Sequence, residues 1–379
     1  GSAHPDAGGA VALGGLSVPG DADTGPRRVT SACRAAGGPV RGQAPFIVVA
    51  SDVHRPAFLT ALPQPRQVST DADSLALSAI VAVALLILLA FPSQLFNATF
   101  TENYDEIRGW FRLPKRAFEA VGAVHQAVAF ALFAVVGGVI YSLLSPDFGF
   151  NGASLALVIG MTVAVAVITV GFAIPSALHM RRQYGEWGKL AVLPGSLLVG
   201  IICVALSRLL NFQPGYLYGV LAGVVFARRL VDRELGRMSA LTAVFVLAVS
   251  VGAWALRVPV SSAAAEPGAG VWLVALESCL GAIFLLGLES IVVGLLPMRF
   301  LDGGRVKAWN SVVWAVLFAI GLFALVHVLL SPGSGYVGHT SGGVTVAVIV
   351  LYVIFGAISV AFWAYFRYRP EHWVPRRAR

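Results

Sequence analysis

Residues 270–298, GVWLVALESCLGAIFLLGLESIVVGLLPM, decide the fold. About 20 apolar residues suffice for a helix to cross some 30 Å of hydrocarbon, and this run exceeds that while carrying two carboxylates, Glu277 and Glu289. An ionisable side chain at membrane depth is costly unless it is partnered, which makes a carboxylate at such depth a functional-site candidate. They stand twelve positions apart, about 120° around a helix, so they do not share a face and are not a paired acid and base. Glu277 falls near one membrane interface, where solvation or a hydrogen bond satisfies it. Glu289 falls near mid-membrane, about 15 Å along the axis from the helix end. The run then passes through Pro297 into RFLDGGRVK, an Asp-Gly-Gly turn with basic residues around it.

Outward from this stretch the composition is of the same kind. Hydrophobic residues make up 57% of the 379-residue chain, charged residues 12%, and mean hydropathy is +0.79, which excludes a soluble protein. The net charge of +8 is carried largely in short clusters between apolar runs. That is the distribution of a membrane protein and its affinity for anionic lipid, not of a nucleic-acid binder. Cys33 lies in a polar region, Cys203 and Cys279 lie in apolar runs, and no CxxC spacing occurs, so neither a disulfide framework nor a thiolate metal site is read.

Residues 1–73 are rich in Gly, Ala, Pro, Asp and Arg and are expected to form a largely disordered extracytoplasmic segment. Apolar runs follow at 75–96, 122–144, 153–178, 190–210, 214–227, 239–256, 270–298, 308–330 and 343–366. The expected fold is all-α, a polytopic transmembrane bundle of about nine spans over residues 74–367, closed by a basic cytoplasmic tail at 368–379. Basic residues alternate accordingly. Arg108, Arg112, Lys115 and Arg116, then Arg181, Arg182 and Lys189, then Arg228, Arg229, Arg233 and Arg237, then Arg299, Arg305 and Lys307 all fall in alternate loops, whereas the intervening ones contain only Arg257. Retention of positive charge on the cytoplasmic side orients the N-terminus outside and the C-terminus inside the plasma membrane. The fifth run is short. Pro214 suits a helix start, and Gly215, Gly219 and Gly223 form a GxxxGxxxG face expected to pack inside the bundle. Trp110, Phe111, Trp363, Tyr365, Phe366 and Trp373 read as interfacial anchors.

Residues 293–305, VGLLPMRFLDGGR, resemble the third-ligand motif of the site-2 intramembrane metalloproteases, typically FNLLPIPPLDGGR, with Leu295, Leu296, Pro297, Leu301, Asp302, Gly303, Gly304 and Arg305 matching. The resemblance implies that Asp302 is the third zinc ligand. The same segment, with LFNATFTENYDEIRGWF at 95–111 and SRLLNFQPGYLYG at 207–219, also resembles an uncharacterised family of actinobacterial multi-pass proteins named for an FGLLP motif, here VGLLP.

Zinc hydrolysis of the protease kind needs HExxH, in which two histidines one turn apart bind the metal and the glutamate activates its water. No HExxH is present. His125 opens His-Gln-Ala-Val-Ala, and overlaying Arg181 and Arg182 on the protease's basic pair puts FAIPS, residues 172–176, where the histidines belong. The expected function is therefore a site-2-protease-like protein without proteolysis that binds a transmembrane partner in the bilayer. Its Asp302, Pro297, Gly303 and Gly304 would shape a turn, with a glycine at positive φ. Two rivals stand beside it: a secondary transporter or proton-coupled channel using Glu289, for which His125 and His327 are conceivable partners, and an atypical zinc protease built from Asp302, His179 and His125.

Overall fold

A computed structural model describes residues 53–110, 125–185, 189–192, 194–209, 222–225, 231–329 and 343–368. Apart from two four-residue strands the described chain is helical. A short helix α1 (Ala57–Ala61) and a 3-10 turn (Pro65–Gln67) precede α2 (Ala72–Glu102) and α3 (Tyr104–Trp110). Then come α4 (Gln126–Ser142), α5 (Gly152–Tyr184), β1 (Lys189–Val192), α6 (Pro194–Leu209), β2 (Ala222–Val225), α7 (Asp232–Ala264) and α8 (Val271–Gly294). The chain closes with α9 (Asp302–Trp309), α10 (Ser311–Ala324) running into a π-helical turn (Leu325–Leu329), and α11 (Gly343–Tyr368).

Five of these helices are long and apolar enough to cross a membrane: α2, α5, α7, α8 and α10 with its π turn. At about 1.5 Å per residue, the 33 residues of α5 and of α7 each reach about 50 Å, beyond the hydrocarbon on its own. α4, residues Ser196–Leu209 of α6 and residues Val353–Tyr368 of α11 supply shorter apolar helical segments.

The bundle is organised around α8. Of its apolar window 72% is buried, against 11% for α2, whose Leu77, Ile80, Ile87 and Phe91 point outward. Small residues let the neighbouring backbones reach it. A Cβ on Gly160 of α5 would lie 2.7 Å from the carbonyl oxygen of Ala275, and one on Gly287 would overlap Ser250 of α7. In lipid, where apolar surface gains nothing from leaving water, such contact is a main source of helix association. Hydroxyls within the bundle return to their own helices: Ser250 donates to the Val246 carbonyl and Ser278 to that of Val274, both at 2.8 Å.

The two rims differ. At one, which we call the basic end, Tyr184 at the end of α5 donates to Glu234 at the start of α7 (2.9 Å), and Arg181, Arg182, Arg233, Arg237, Arg299 and Arg305 all belong to the chain ends gathered there. α5 stops at Gly185, whose left-handed φ of 69° closes the helix through its amide bond to the Arg181 carbonyl. The opposite rim joins the C-terminus of α4, where Arg208 of α6 donates to the carbonyls of Leu143 (2.7 Å) and Ser145 (3.0 Å), to the turn between α7 and α8.

The expected fifth span is corrected. Residues 222–225 form β2, which pairs antiparallel with β1, Gly223 opposite Ala191 and Val225 opposite Lys189. Glycine at every fourth position weakens a helix by about 1 kcal/mol per residue relative to alanine, and the free edge of β1 offers the same backbone a ladder. The glycine face is thus not helical at Gly223; Gly215, Gly219 and Pro214 lie outside the described residues. Because α6 leads from β1 to the opposite rim and β2 is again beside β1, the chain is back at the basic end by residue 222.

The N-terminal segment is also corrected at its end. Residues 53–71 are not part of a tail: Val53, Leu59 and Leu62 are buried in the core of the bundle. Residues 1–52 and most of the 368–379 tail lie outside the described residues.

With the native cysteines replaced, single cysteines at Glu266 and at Arg305 should react with an impermeant maleimide from opposite sides of the membrane. Labelling from one side would refute the placement of the two rims.

Candidate functional site

The LDGG segment is built into the basic end. After α8 ends at Gly294 the chain turns through Pro297, with the Met298 amide donating to the Leu296 carbonyl (2.7 Å) and that of Leu301 to the Met298 carbonyl (3.0 Å). Asp302 then opens α9. Its Oδ1 accepts from the Ser239 hydroxyl of α7 at 2.9 Å and from Arg305 Nη1 at 3.1 Å. Neither following glycine has positive φ, contrary to expectation; both are helical. Their use is close approach: a Cβ on Gly303 would overlap the carbonyls of Leu295 and Leu296, and one on Gly304 that of Met298. Trp314 of α10 donates to the remaining Leu295 acceptor (2.8 Å), and the Lys307 ammonium lies 4.8 Å from the same indole ring. The Arg299 amide bonds Asn97 of α2 (2.8 Å), and Phe300 packs on Phe100, tying the turn to the first long helix.

The zinc reading needs Asp302, His179 and His125 together. All three are described, and among the described residues no group of three His, Cys, Asp or Glu side chains is placed to hold a metal ion. His125 is exposed at the start of α4 and His179 is half-buried within α5. The structure does not bring His125, His179 and Asp302 together as a metal-holding set.

Glu289 is 2% exposed, in the last third of α8 and within electrostatic reach of Cys203 of α6. Its expected partner His327 is engaged elsewhere. The Nε2 of His327 faces the Ser69 carbonyl and Nδ1 faces the Ser78 hydroxyl, each at 3.0 Å. A carbonyl oxygen only accepts, so Nε2 donates to Ser69, and the contact of Nδ1 with the Ser78 hydroxyl is the ring's second hydrogen bond.

The densest polar site is one the sequence did not single out. Glu277 has no exposed surface. Its carboxylate accepts from Arg55 Nε (2.9 Å), pairs with Arg55 Nη2, and lies 3.4 Å from Arg257 Nη2. Arg257 is 1% exposed and donates to the carbonyls of Leu62 (3.0 Å) and Leu59 (2.6 Å). Ser261 accepts from Arg55 Nη2 (3.0 Å) and Gln64 Nε2 (2.8 Å), and Trp254 donates to the Pro63 carbonyl (2.9 Å). Glu277 is thus hydrogen-bonded, as one of its two expected states had it, but not solvated. The available signal was Arg257, the one basic residue in the alternate loops, at the same depth as Glu277 in the adjoining antiparallel run. Nothing in the sequence pointed to Arg55.

Removing one partner of a buried ion pair leaves the other charge uncompensated and costs about 3–5 kcal/mol, whereas half-exposed pairs contribute under about 1 kcal/mol. Glu277→Gln should therefore lower the unfolding midpoint in detergent by many degrees, while Arg305→Ala, which breaks only the exposed pair with Asp302, should leave it nearly unchanged.

Searches against protein-family models, curated proteins and solved structures return no match.

Proposed function

We propose that this chain is a multi-pass plasma-membrane protein of site-2-protease-like layout that binds a membrane-embedded partner without cleaving it. The basic end would face the cytoplasm, following the rule that positive loops are retained there. One observation carries the reading: each matching residue of the LDGG segment already has a structural task. Asp302 is bound to Ser239 and Arg305, and Gly303 and Gly304 admit three backbone carbonyls where a side chain would not fit. A carboxylate used to pin α9 to α7 serves the fold whether or not a metal ever bound there, which is how a hydrolytic site can be lost while its signature persists.

Metal analysis of detergent-purified protein tests this. Native protein and Asp302→Asn should both carry zinc far below one equivalent and unfold at similar temperatures. One equivalent of zinc in the native protein, lost in the variant, would overturn the reading and restore the protease.

A second reading is favoured by Glu289, a buried carboxylate on the central helix. Such a group suits a proton or cation path through a secondary transporter or channel. Proton or cation flux into liposomes containing the native protein, abolished by Glu289→Gln, is the result that reading requires.

A further inference from the structure

Residues 53–71 form a strap across the rim of α7, α8 and the π turn after α10, and most of what holds it is main chain. Arg257 donates to the carbonyls of Leu59 and Leu62, Trp254 to that of Pro63 and His327 to that of Ser69. A row of fixed donors aimed at backbone carbonyls reads the path of a peptide more than its sequence. Selectivity enters at three points. Glu277 takes the guanidinium of Arg55, and Leu59 and Leu62 lie over Gly281, where a Cβ would come within 3.2 Å and 3.6 Å of their methyl groups. The three anchors are Arg55 ahead of α1, Leu59 within it and Leu62 just after it, four and seven positions apart from the first.

The charges are arranged for exchange. The site holds two guanidiniums and one carboxylate, and Arg257 belongs to the groove while Arg55 belongs to the strap. When the strap leaves it removes one positive charge, and Arg257 and Glu277 remain behind as a balanced pair. An arrangement in which the strap supplied the sole counter-charge would leave a bare buried carboxylate, at a cost that would make release prohibitive. Pro56, Pro63 and Pro65 stiffen the strap, lowering the entropy lost on docking, and its attachment to α2 at Ala72 keeps it at high local concentration.

We propose that this rim is a peptide-recognition groove, occupied in cis by the strap, whose second ligand is an extramembrane segment of a partner protein carrying Arg or Lys followed by apolar residues four and seven positions later. The proposal rests on the partner-binding reading for the identity of that ligand.

The probe is a fluorescent synthetic peptide of residues 53–69, added to the purified full chain in detergent and to its Arg55→Ala variant. A weakened strap competes less, and apparent affinity scales with the fraction of grooves left open. The variant should bind the peptide at least about tenfold more tightly than the native protein. No binding to either, or equal affinity for both, overturns the proposal. Hydrogen exchange on the native protein gives an answer that does not depend on the variant folding. Amides of residues 53–69 should exchange through an opening that leaves α7 and α8 protected, and exchange only in step with those helices would make the strap a permanent staple and overturn the groove. Zinc at one equivalent would refute the partner-binding reading and leave these measurements unaffected. Failed peptide competition in a zinc-free protein would remove the groove alone.

Discussion

A carboxylate with no exposed surface must be met by donors, and Glu277 is met by two arginines that precede it at very different distances in the sequence. Arg257 comes from the neighbouring helix α7, 20 residues away; Arg55 comes from ahead of the first long helix, 222 residues away. That single requirement closes the rim. Once Arg257 is held by Glu277, its Nη1 and Nη2 reach the carbonyls of Leu62 and Leu59 at the end of α1, and those carbonyls in turn settle Leu59 and Leu62 over Gly281. A polar demand is thereby converted into apolar burial, and the least membrane-like part of the described chain becomes part of the core.

The basic end solves a different problem. α8 must end, and α9 must start, within a few residues, while every backbone group near the lipid boundary finds a partner. Leu295, Leu296 and Met298 present carbonyls to a space that only glycine leaves open, and Trp314 supplies a donor for one of them. The same sequence that resembles a metal-ligand motif is, read this way, a compact helix reversal pinned to α7 through Ser239 and to α2 through Asn97.

Much of this was legible in the chain because lipid simplifies the reading: an apolar run of sufficient length has few alternatives to a helix, and the runs at 75–96, 153–178, 239–256, 270–298 and 308–330 are helices with ends displaced by a few residues. What escaped reading depended on contacts distant in sequence. Gly223 has the spacing of a helix-packing face, yet small residues that allow close packing also weaken a helix, and the strand at 189–192 decided between the two. Gly303 and Gly304 invite a positive-φ turn, but they are needed for space and not for conformation. Arg55 sits in a polar stretch with no pattern of its own, and only the groove explains it. Glu289 drew attention as a carboxylate within an apolar run, and it is buried; that His327 is turned toward Ser69 and Ser78 needed the fold.

The strap's place in the chain bears on how the protein is made. Arg55 is synthesised before α2, and Glu277 only after α7 is complete, 222 positions later. At ordinary rates of synthesis of about 5–20 residues per second, the strap waits about ten to forty seconds for its site. During that interval its leucines and arginine stay outside the bilayer with nothing to bind, and a chain interrupted before α8 never acquires a place for them. Docking of the strap therefore marks the completed bundle. Until α8 is in place the surface that buries Leu59 and Leu62 does not exist, so their burial reports a completed pair of α7 and α8.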